Sequence, residues 1–228
     1  LEEVQETVDA LVRSWVLGSN CLGFVVALSG ARSEYHRTRS YPEYKANRSA
    51  NVPPRWLVTI REYLRTLPTV SHVEFEADDL MAKLAHTGCT LVSIDKDLLQ
   101  IPGKHYNPDK DEHHVVSDDD SDYNHHLQWI MGDATDNYPG IRGVGPAKAG
   151  RILEGVGRED RTDAVYRAYY DRDYPAQFAV TMYVCATLLW KPLVIPTPKD
   201  PELLRWFTLE TTTKSQMGLL DESKTTPV

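Results

Sequence analysis

Seven carboxylates fall in three short motifs: Glu76, Asp78 and Asp79 in EADD, Asp95 and Asp97 in SIDKD, and Asp133 and Asp136 in GDATDN. The last motif runs directly into a glycine-rich stretch, GIRGVGPAKA. Acids brought together repel each other and resist ionising. A divalent cation removes the conflict, because hard cations prefer carboxylate oxygen. Glycine-rich turns ahead of a helix present backbone amides that grip phosphate. Acids beside such a grip point to metal-dependent chemistry on a phosphodiester.

Each motif alone has a plainer explanation. Glu76 and Asp79 are three apart and share a helix face, with Asp78 aimed elsewhere. Acids also enrich the first helical turn for its dipole alone. Asp95 and Asp97 project to one side of an extended chain, and Asp133 and Asp136 share a helical face. Three such pairs at element starts, the last before a glycine turn, exceed what capping requires. Ligation by carboxylates without histidine suits magnesium or manganese, and two ions would activate a water and stabilise a leaving oxygen. His113-His114 and His125-His126 lack cysteine or histidine partners at zinc-ligand spacing. Gly143 and Gly145 form the tight turn, Pro146 opens the next helix, and Lys148 adds charge.

The elements that would position these residues follow from pattern. Val4, Val8, Leu11, Val12 and Trp15 recur at helical spacing, and Leu22 to Leu28 reads as a buried strand. Helix over Arg55 to Leu67, strand over Thr69 to Val73, helix over Glu76 to His86 and strand over Thr90 to Ile94 complete an alternating series. That series predicts a parallel α/β sheet, whose sites form at the carboxyl ends of strands. Residues 102 to 122 read as loop, with weak strand character at His113 to Val116 and a solvated acidic turn at Asp118-Asp119-Asp120. Helix is expected from Tyr123 onward, and a frayed tail over Thr211 to Val228.

Net charge is −8, which at first argues against nucleic acid. The distribution argues otherwise: Arg32, Arg37, Arg39, Lys45 and Arg48 lie within one segment against Glu34 and Glu43, interleaved with Tyr35, His36, Tyr41 and Tyr44. Bases among rings suit a phosphate backbone. Lys45 and Arg48 are the candidates for contacts at the scissile phosphate. At 228 residues, 41% hydrophobic and 25% charged, the chain is long enough for one domain with a smaller one appended. No apolar run reaches membrane-spanning length and no signal-peptide pattern opens the sequence. Cys21, Cys89 and Cys185 read as reduced, buried thiols of a cytoplasmic protein. The opening at Leu1, already in helical pattern, reads as an N-terminal truncation.

EYKANR, EADD, SIDKD and MGDATDNYPGIRGVGPAKA, in this order, resemble the 5′-nuclease superfamily: flap endonucleases, phage-type 5′-to-3′ exonucleases and the 5′-nuclease domain of bacterial DNA polymerase I. The resemblance runs from about Arg32 to Leu153 and is closest in spacing to the phage-type enzymes. It implies an α/β fold: a PIN-like parallel sheet flanked by helices, then a helical helix–three-turn–helix DNA-binding module. Residues 1–121 would form the PIN-like core, with a helical arch at about 32–52. Residues 122–180 would form the DNA-binding region and 181–228 a C-terminal segment packing on the core. Glu76, Asp78, Asp79 and Asp95 would serve a first metal site; Asp97, Asp133 and Asp136 a second. Lys45 and Arg48 would be catalytic in the arch. Arg32, Arg37, Lys45, Arg48, Gly143, Gly145 and Lys148 would contact DNA, with a potassium ion at the glycine turn. Two departures stand out. The family's N-terminal strand, which carries an aspartate ligand, is missing, and Ala27-Leu28-Ser29-Gly30 ends the next strand without an acid.

The expected activity is a monomeric, Mg2+- or Mn2+-dependent 5′-to-3′ exonuclease or flap endonuclease, acting on DNA near 5′ ends or junctions in a bacterial or phage-infected cell. The rival reading is a structure-selective DNA-binding module that no longer cuts. A PIN-type ribonuclease fits less well, because the helix–turn–helix after Asp136 suits a duplex partner.

Overall fold

A computed structural model describes residues 2–49 and 51–215. Helix α1 (Glu2–Gly18) buries no residue completely and packs on α3 (Leu57–Leu64), where the Tyr63 hydroxyl donates to Asp9 at 2.6 Å. Strand β1 (Val26–Leu28) pairs in parallel with β2 (Thr69–Ser71), Val26 opposite Thr69. Strand β3 (Thr90–Val92) pairs in parallel with β4 (Gly103–Asn107), which pairs antiparallel with β5 (Glu112–Val116). The described residues therefore hold two small sheets, β1-β2 and β3-β4-β5, rather than one continuous parallel sheet. Helix α4 (Ala77–Ala85) touches β1, β2 and β3 and bridges them.

The other helices are α2 (His36–Ser40), α5 (Asp118–Met131), α6 (Pro146–Leu153), α7 (Arg161–Tyr170), α8 (Ala176–Ala186) and α9 (Pro201–Ser215). They enclose the larger core, built on Trp129, Ile130, Tyr166, Tyr169 and Met182. Trp129 Nε1 donates to the Ala179 carbonyl at 2.8 Å and the Tyr169 hydroxyl to the Trp129 carbonyl at 2.7 Å, so the aromatic side chains bury without losing their polar bonds. Tyr35 and Tyr44 of the basic segment belong to this core, which ties residues 32–48 to the helical half. A smaller core under β3 joins Ala82, Leu91, Leu98, Ile101 and Leu188.

Several elements differ from expectation. The loop expected over 102–122 is the β4–β5 hairpin, turned at Asp111 in the left-handed region (φ 54), followed by the start of α5. Helix α5 begins at Asp118, not Tyr123: Ser117 Oγ accepts from Asp120 N at 3.1 Å, and the three aspartates occupy the first turn, where the dipole favours them. The strand expected from Leu22 shrinks to three residues, with Leu22 and Val25 exposed. Cys89 is exposed and Cys21 half-buried; only Cys185 is buried, and all three are free. Of the tail expected from Thr211, residues up to Ser215 continue α9 and the rest lies outside the described residues. No described helix is long and apolar enough to cross a membrane.

Candidate active site

Three local structures aim the acids. Glu76 caps the N-terminus of α4 and forms a capping box with Asp79, whose Oδ2 accepts from Glu76 N at 3.2 Å. Ser29 Oγ, at the strand end that carries no acid, accepts from Ala77 N at 2.9 Å and completes this terminus. Asp95 follows β3 and its Oδ1 accepts from Asp97 N at 2.9 Å, which turns the chain into the 3-10 segment Lys96–Gln100. After α5, Asp133 and Tyr138 exchange backbone hydrogen bonds of 2.8 and 3.0 Å. Gly132 permits this loop: at φ 68, a Cβ there would lie 2.3 Å from the Tyr138 carbonyl oxygen.

The basic segment closes over part of this edge as a strap. Arg37 is only 1% exposed, and its five N–H groups are all engaged. Nε donates to the Cys185 carbonyl (3.2 Å) and Nη2 to the Thr187 carbonyl (2.6 Å) at the end of α8. Nη1 reaches Glu76 Oε2 (2.9 Å) and Asp79 Oδ2 (2.6 Å), and Nη2 reaches Asp79 Oδ1 (2.7 Å). Lys45, in the left-handed region at φ 55, pairs with Glu76 and lies 3.3 Å from Asp136 Oδ2. Arg48 Nη2 meets Asp136 Oδ1 at 2.5 Å. The Tyr44 hydroxyl sits 2.8 Å from Glu76 Oε2 and 2.9 Å from Asp136 Oδ2.

These contacts divide the acids into two groups. Glu76, Asp79 and Asp136 are paired with the chain's own cations. Burial raises the Asp79 pKa, but the Arg37 charge and hydrogen bonds outweigh it and hold the carboxyl below its ordinary range. Among the described residues, Asp78, Asp95, Asp97 and Asp133 form no ion pair with a cation. Burial, then Asp95 and Glu76, push Asp78 up to about 6. Burial, then Asp95 and Asp133, push Asp97 up to about 7. Asp78 and Asp97 line a small, solvent-open cavity of about 20 Å³ with Glu76, Asp136, Arg37 and Tyr44. Among the described residues, no three His, Cys, Asp or Glu side chains are close enough to hold a metal ion as they stand. The donor chemistry fits a hard cation, and the like-charge repulsion around Asp78 and Asp97 is what such a cation relieves. The acids' spacing as it stands does not fit, neither for those that the strap's cations hold nor for the others.

Two sequence expectations change. Asp78, not Asp79, faces the other acids, because the capping box and Arg37 turn Asp79 inward. Arg37 is not a surface contact for DNA: burial and five hydrogen bonds make it an internal clamp. Arg32 is exposed, and its Nη1 donates to the Lys45 carbonyl at 3.1 Å. Gly143 adopts φ 74, Gly145 caps α6, and Lys148 Nζ donates to the Gly143 carbonyl at 2.8 Å. Gln100, Gln128 and Tyr138 also line the cavity and were missed. A lone amide inside the apolar run Leu98–Ile101 is the signal that marks Gln100. Nothing marks Thr187, which contributes a backbone carbonyl.

The 5′-3′ exonuclease N-terminal resolvase-like domain matches residues 8–124, just over half of the sequence. DNA polymerase I of Rhizobium leguminosarum is 40% identical over 141 residues, 53% of this chain and 14% of that protein. A 5′-3′ exonuclease of Aquifex aeolicus is 31% identical over 153 residues, 59% of this chain and 53% of that protein. The aligned stretches thus span between a seventh and about half of these relatives' lengths. The phage T5 D15 protein, co-crystallised with metal ions, matches with a TM-score of 0.62 at 18% identity, covering 92% of this chain and 90% of that one. The bacteriophage T5 D15 flap endonuclease, in complex with DNA and metal ions, matches with a TM-score of 0.56 at 17% identity, covering 94% of this chain and 86% of that one. These two likenesses are of fold. The sequence match over residues 8–124 goes further, and by it the chain belongs to the 5′-nuclease superfamily, a family of nucleases.

Proposed function

We propose that this chain is a divalent-metal-dependent 5′-nuclease that hydrolyses DNA phosphodiesters near 5′ ends or single-strand/duplex junctions. One observation carries the reading: Asp78 and Asp97, with pKa values raised to about 6 and about 7, line a solvent-open cavity at the edge where three acidic motifs meet. Asp78 and Asp95, with Glu76, would hold one Mg2+ or Mn2+ ion. Asp97, Asp133 and Asp136 would hold a second. Asp79 supports the first group from behind, held charged by Arg37. When bound, the ions supply activation of the attacking water and charge stabilisation at the leaving oxygen. The water adds to phosphorus in line, the bond to the 3′ oxygen breaks, and a 5′-phosphate end results.

Lys45 and Arg48 exchange partners in this reading. In the free protein they neutralise Glu76 and Asp136. With cations and DNA present, they turn to the phosphate, whose charge replaces the carboxylates'. The segment 32–52 acts as the arch over the 5′ strand, with Arg32 at its exposed start. Helices α5 and α6, joined through Gly143 and Gly145, form the helix–three-turn–helix within residues 122–180. There the α6 N-terminus and Lys148 meet the duplex backbone, with a potassium ion at the turn. Residues 1–121 are the catalytic core, 181–215 pack onto it through Arg37, and the chain acts as a monomer. Recognition is by shape and backbone, not base edges.

A second reading has its own observation. Glu76, Asp79 and Asp136 are already neutralised internally, as a DNA-binding module that no longer cuts would require. A 5′-labelled flap duplex, incubated with the chain in Mg2+, Mn2+ or chelator, separates the two. Metal-dependent release of short 5′ products is expected. Junction binding without cleavage in either metal selects the binding module.

A further inference from the structure

We propose that Asn137 is a positioning residue for Lys45: its side-chain amide holds the strap against the loop bearing Asp133 and Asp136, and so fixes where the Lys45 ammonium enters the acidic edge. The inference deepens the nuclease reading and rests on it, because Lys45 is there a contact for the scissile phosphate.

Lys45 sits in a backbone conformation that lysine rarely takes. Residues 43–46 form a tight turn, closed by Ala46 N donating to the Glu43 carbonyl at 3.0 Å. Lys45 is the third residue of that turn, at φ 55 and ψ 15. Positive φ at this turn position ordinarily falls to glycine or asparagine. The other described non-glycine residues with positive φ are Asn20, Asp111, Asn137 and Asp173, whose short polar side chains tolerate it. Glycine at position 45 would relax the backbone, but it could not supply the ammonium that meets Glu76 and Asp136. Such a conformation persists where neighbouring groups hold it.

The groups that hold it come from residues 134–137. Asn137 Nδ2 donates to the Glu43 carbonyl at 2.6 Å, the same oxygen that closes the turn. Lys45 N donates to the Asp136 carbonyl at 2.7 Å. Asn47 Nδ2 donates to the Ala134 carbonyl at 3.2 Å, and Arg48 Nε to the Thr135 carbonyl at 3.3 Å. Three consecutive loop carbonyls thus receive the strap. In return, Asn137 is, among the described residues, the one loop side chain that bonds strap backbone. An amide brings no charge, so it anchors the turn without competing for the neighbouring carboxylates. The Lys45 backbone is therefore tied to the loop, while its ammonium is held only by ion pairs that a phosphate can replace.

The test reads the position of Lys45 directly. The full chain, in chelator, is acylated with N-hydroxysuccinimidyl acetate. Peptide mass spectrometry compares the labelling rate of Lys45, 8% exposed, with that of exposed Lys110. Asn137→Gly keeps the left-handed backbone and removes the amide; Asn137→Asp keeps the shape and removes the donor. Each is expected to raise Lys45 labelling relative to Lys110 by about 5-fold or more, the shift that loss of one hydrogen bond gives. In Mn2+, each should slow cleavage of a saturating flap duplex by about 10-fold or more, because a displaced catalytic group loses its alignment. Calorimetric Mn2+ uptake by Asn137→Gly should not weaken, and in a Lys45→Ala background Asn137→Gly should slow cleavage no further. Unchanged Lys45 labelling in the folded variants overturns the inference. So does an Asn137→Gly loss that persists in full without Lys45, or Mn2+ uptake weakened as much as cleavage, since Asn137 would then build the ion site. Where Asn137→Gly melts below the assay temperature, the labelling of Asn137→Asp decides. Wild type that cuts no flap in Mn2+ overturns the nuclease reading and the part of Lys45 in it, while labelling still decides whether Asn137 holds the strap.

Discussion

Arg37 holds three parts of the chain together, and its removal is the sharpest test of how the site is built. Its guanidinium joins the N-terminus of α4, through Glu76 and Asp79, to the end of α8, through the Cys185 and Thr187 carbonyls. Arg37→Met keeps most of the side-chain volume and removes all five donors. It leaves Asp79 at 0% exposure and Glu76 at 4% without that cation. Breaking a buried ion pair by deleting one partner costs about 3–5 kcal/mol. Total stability for a domain is about 5–15 kcal/mol, so the loss is about a fifth of it or more. Lysine should not rescue the variant, because a point charge with three donors cannot serve two carboxylates and two carbonyls at once.

The pH dependence gives the reasoning a second handle. In the wild type, the Asp79 pKa is held below its ordinary value, so its stabilisation is present above the unfolded pKa and lost as pH falls through the folded one. In Arg37→Met, burial, the largest influence on Asp79, is opposed only by the Glu76 N–H bond and His36, and is expected to raise the Asp79 pKa above the unfolded value. Folded variant then binds a proton more readily than unfolded variant, and gains relative stability as pH falls. The gap between the two proteins should therefore be widest near pH 7 and narrow through about pH 4. Urea unfolding followed by tryptophan fluorescence at pH 7, 5 and 4 measures it. A midpoint shift worth under about 1 kcal/mol at pH 7, or a gap that widens in acid, would refute the clamp.

The two aspartates of EADD should separate by what they lose. Asp78→Asn is expected to cut Mn2+ uptake and cleavage by at least about 10-fold with little change in melting temperature, and Asp79→Asn to cost about 3 kcal/mol or more in unfolding experiments; equal stability losses would erase the distinction between them. Asp78 and Asp97 have folded pKa values of about 6 and about 7, above the unfolded value, so their stabilisation is complete below about pH 4 and is lost as pH rises through 6 and 7. Cation binding expels those protons, so half-saturating Mn2+ should fall by at least about 10-fold from pH 5.5 to 7.5, with proton release visible in buffers of different ionisation enthalpy; flat affinity would contradict the raised values. Gly132→Ala would force a Cβ to 2.3 Å from the Tyr138 carbonyl oxygen at a φ of 68, and should cost at least about 2 kcal/mol in thermal unfolding; an unchanged melting temperature would place the loop in another conformation.

The sequence carried the family and the acidic edge because those features are local. Motif order is read along the chain, and each acid pair sits at the start or end of one element. Partner choice within the edge is not local. EADD gives Asp78 and Asp79 equal standing as letters; a capping hydrogen bond and an arginine 42 residues upstream turn one inward and leave the other at the cavity. Arg37 looked like its neighbours Arg32 and Arg39, and only the return of α8 beneath it made it a buried clamp. The β4–β5 hairpin was obscured by turn-forming residues from Asn107 to Asp111 and by histidines that carry no clear alternation.

The division of the acids into paired and unpaired groups gives the site two properties that one set of carboxylates could not supply. Asp79, paired with a cation that solvent does not reach, is fixed in charge and position and can anchor α4 whatever binds at the surface. Burial and neighbouring carboxylates raise the pKa values of Asp78 and Asp97 to about 6 and about 7, so an added positive charge can change their state. Glu76 and Asp136 lie between these extremes. Their partners, Lys45 and Arg48, come from the strap, and Arg48 is substantially exposed. A pair with one exposed partner is weak enough to be exchanged. Entry of cations at Asp78 and Asp97 would therefore compete first with Arg48, and Arg48→Ala should tighten Mn2+ uptake even as it weakens DNA binding. Weaker uptake of both would mean that Arg48 builds the site instead of guarding it.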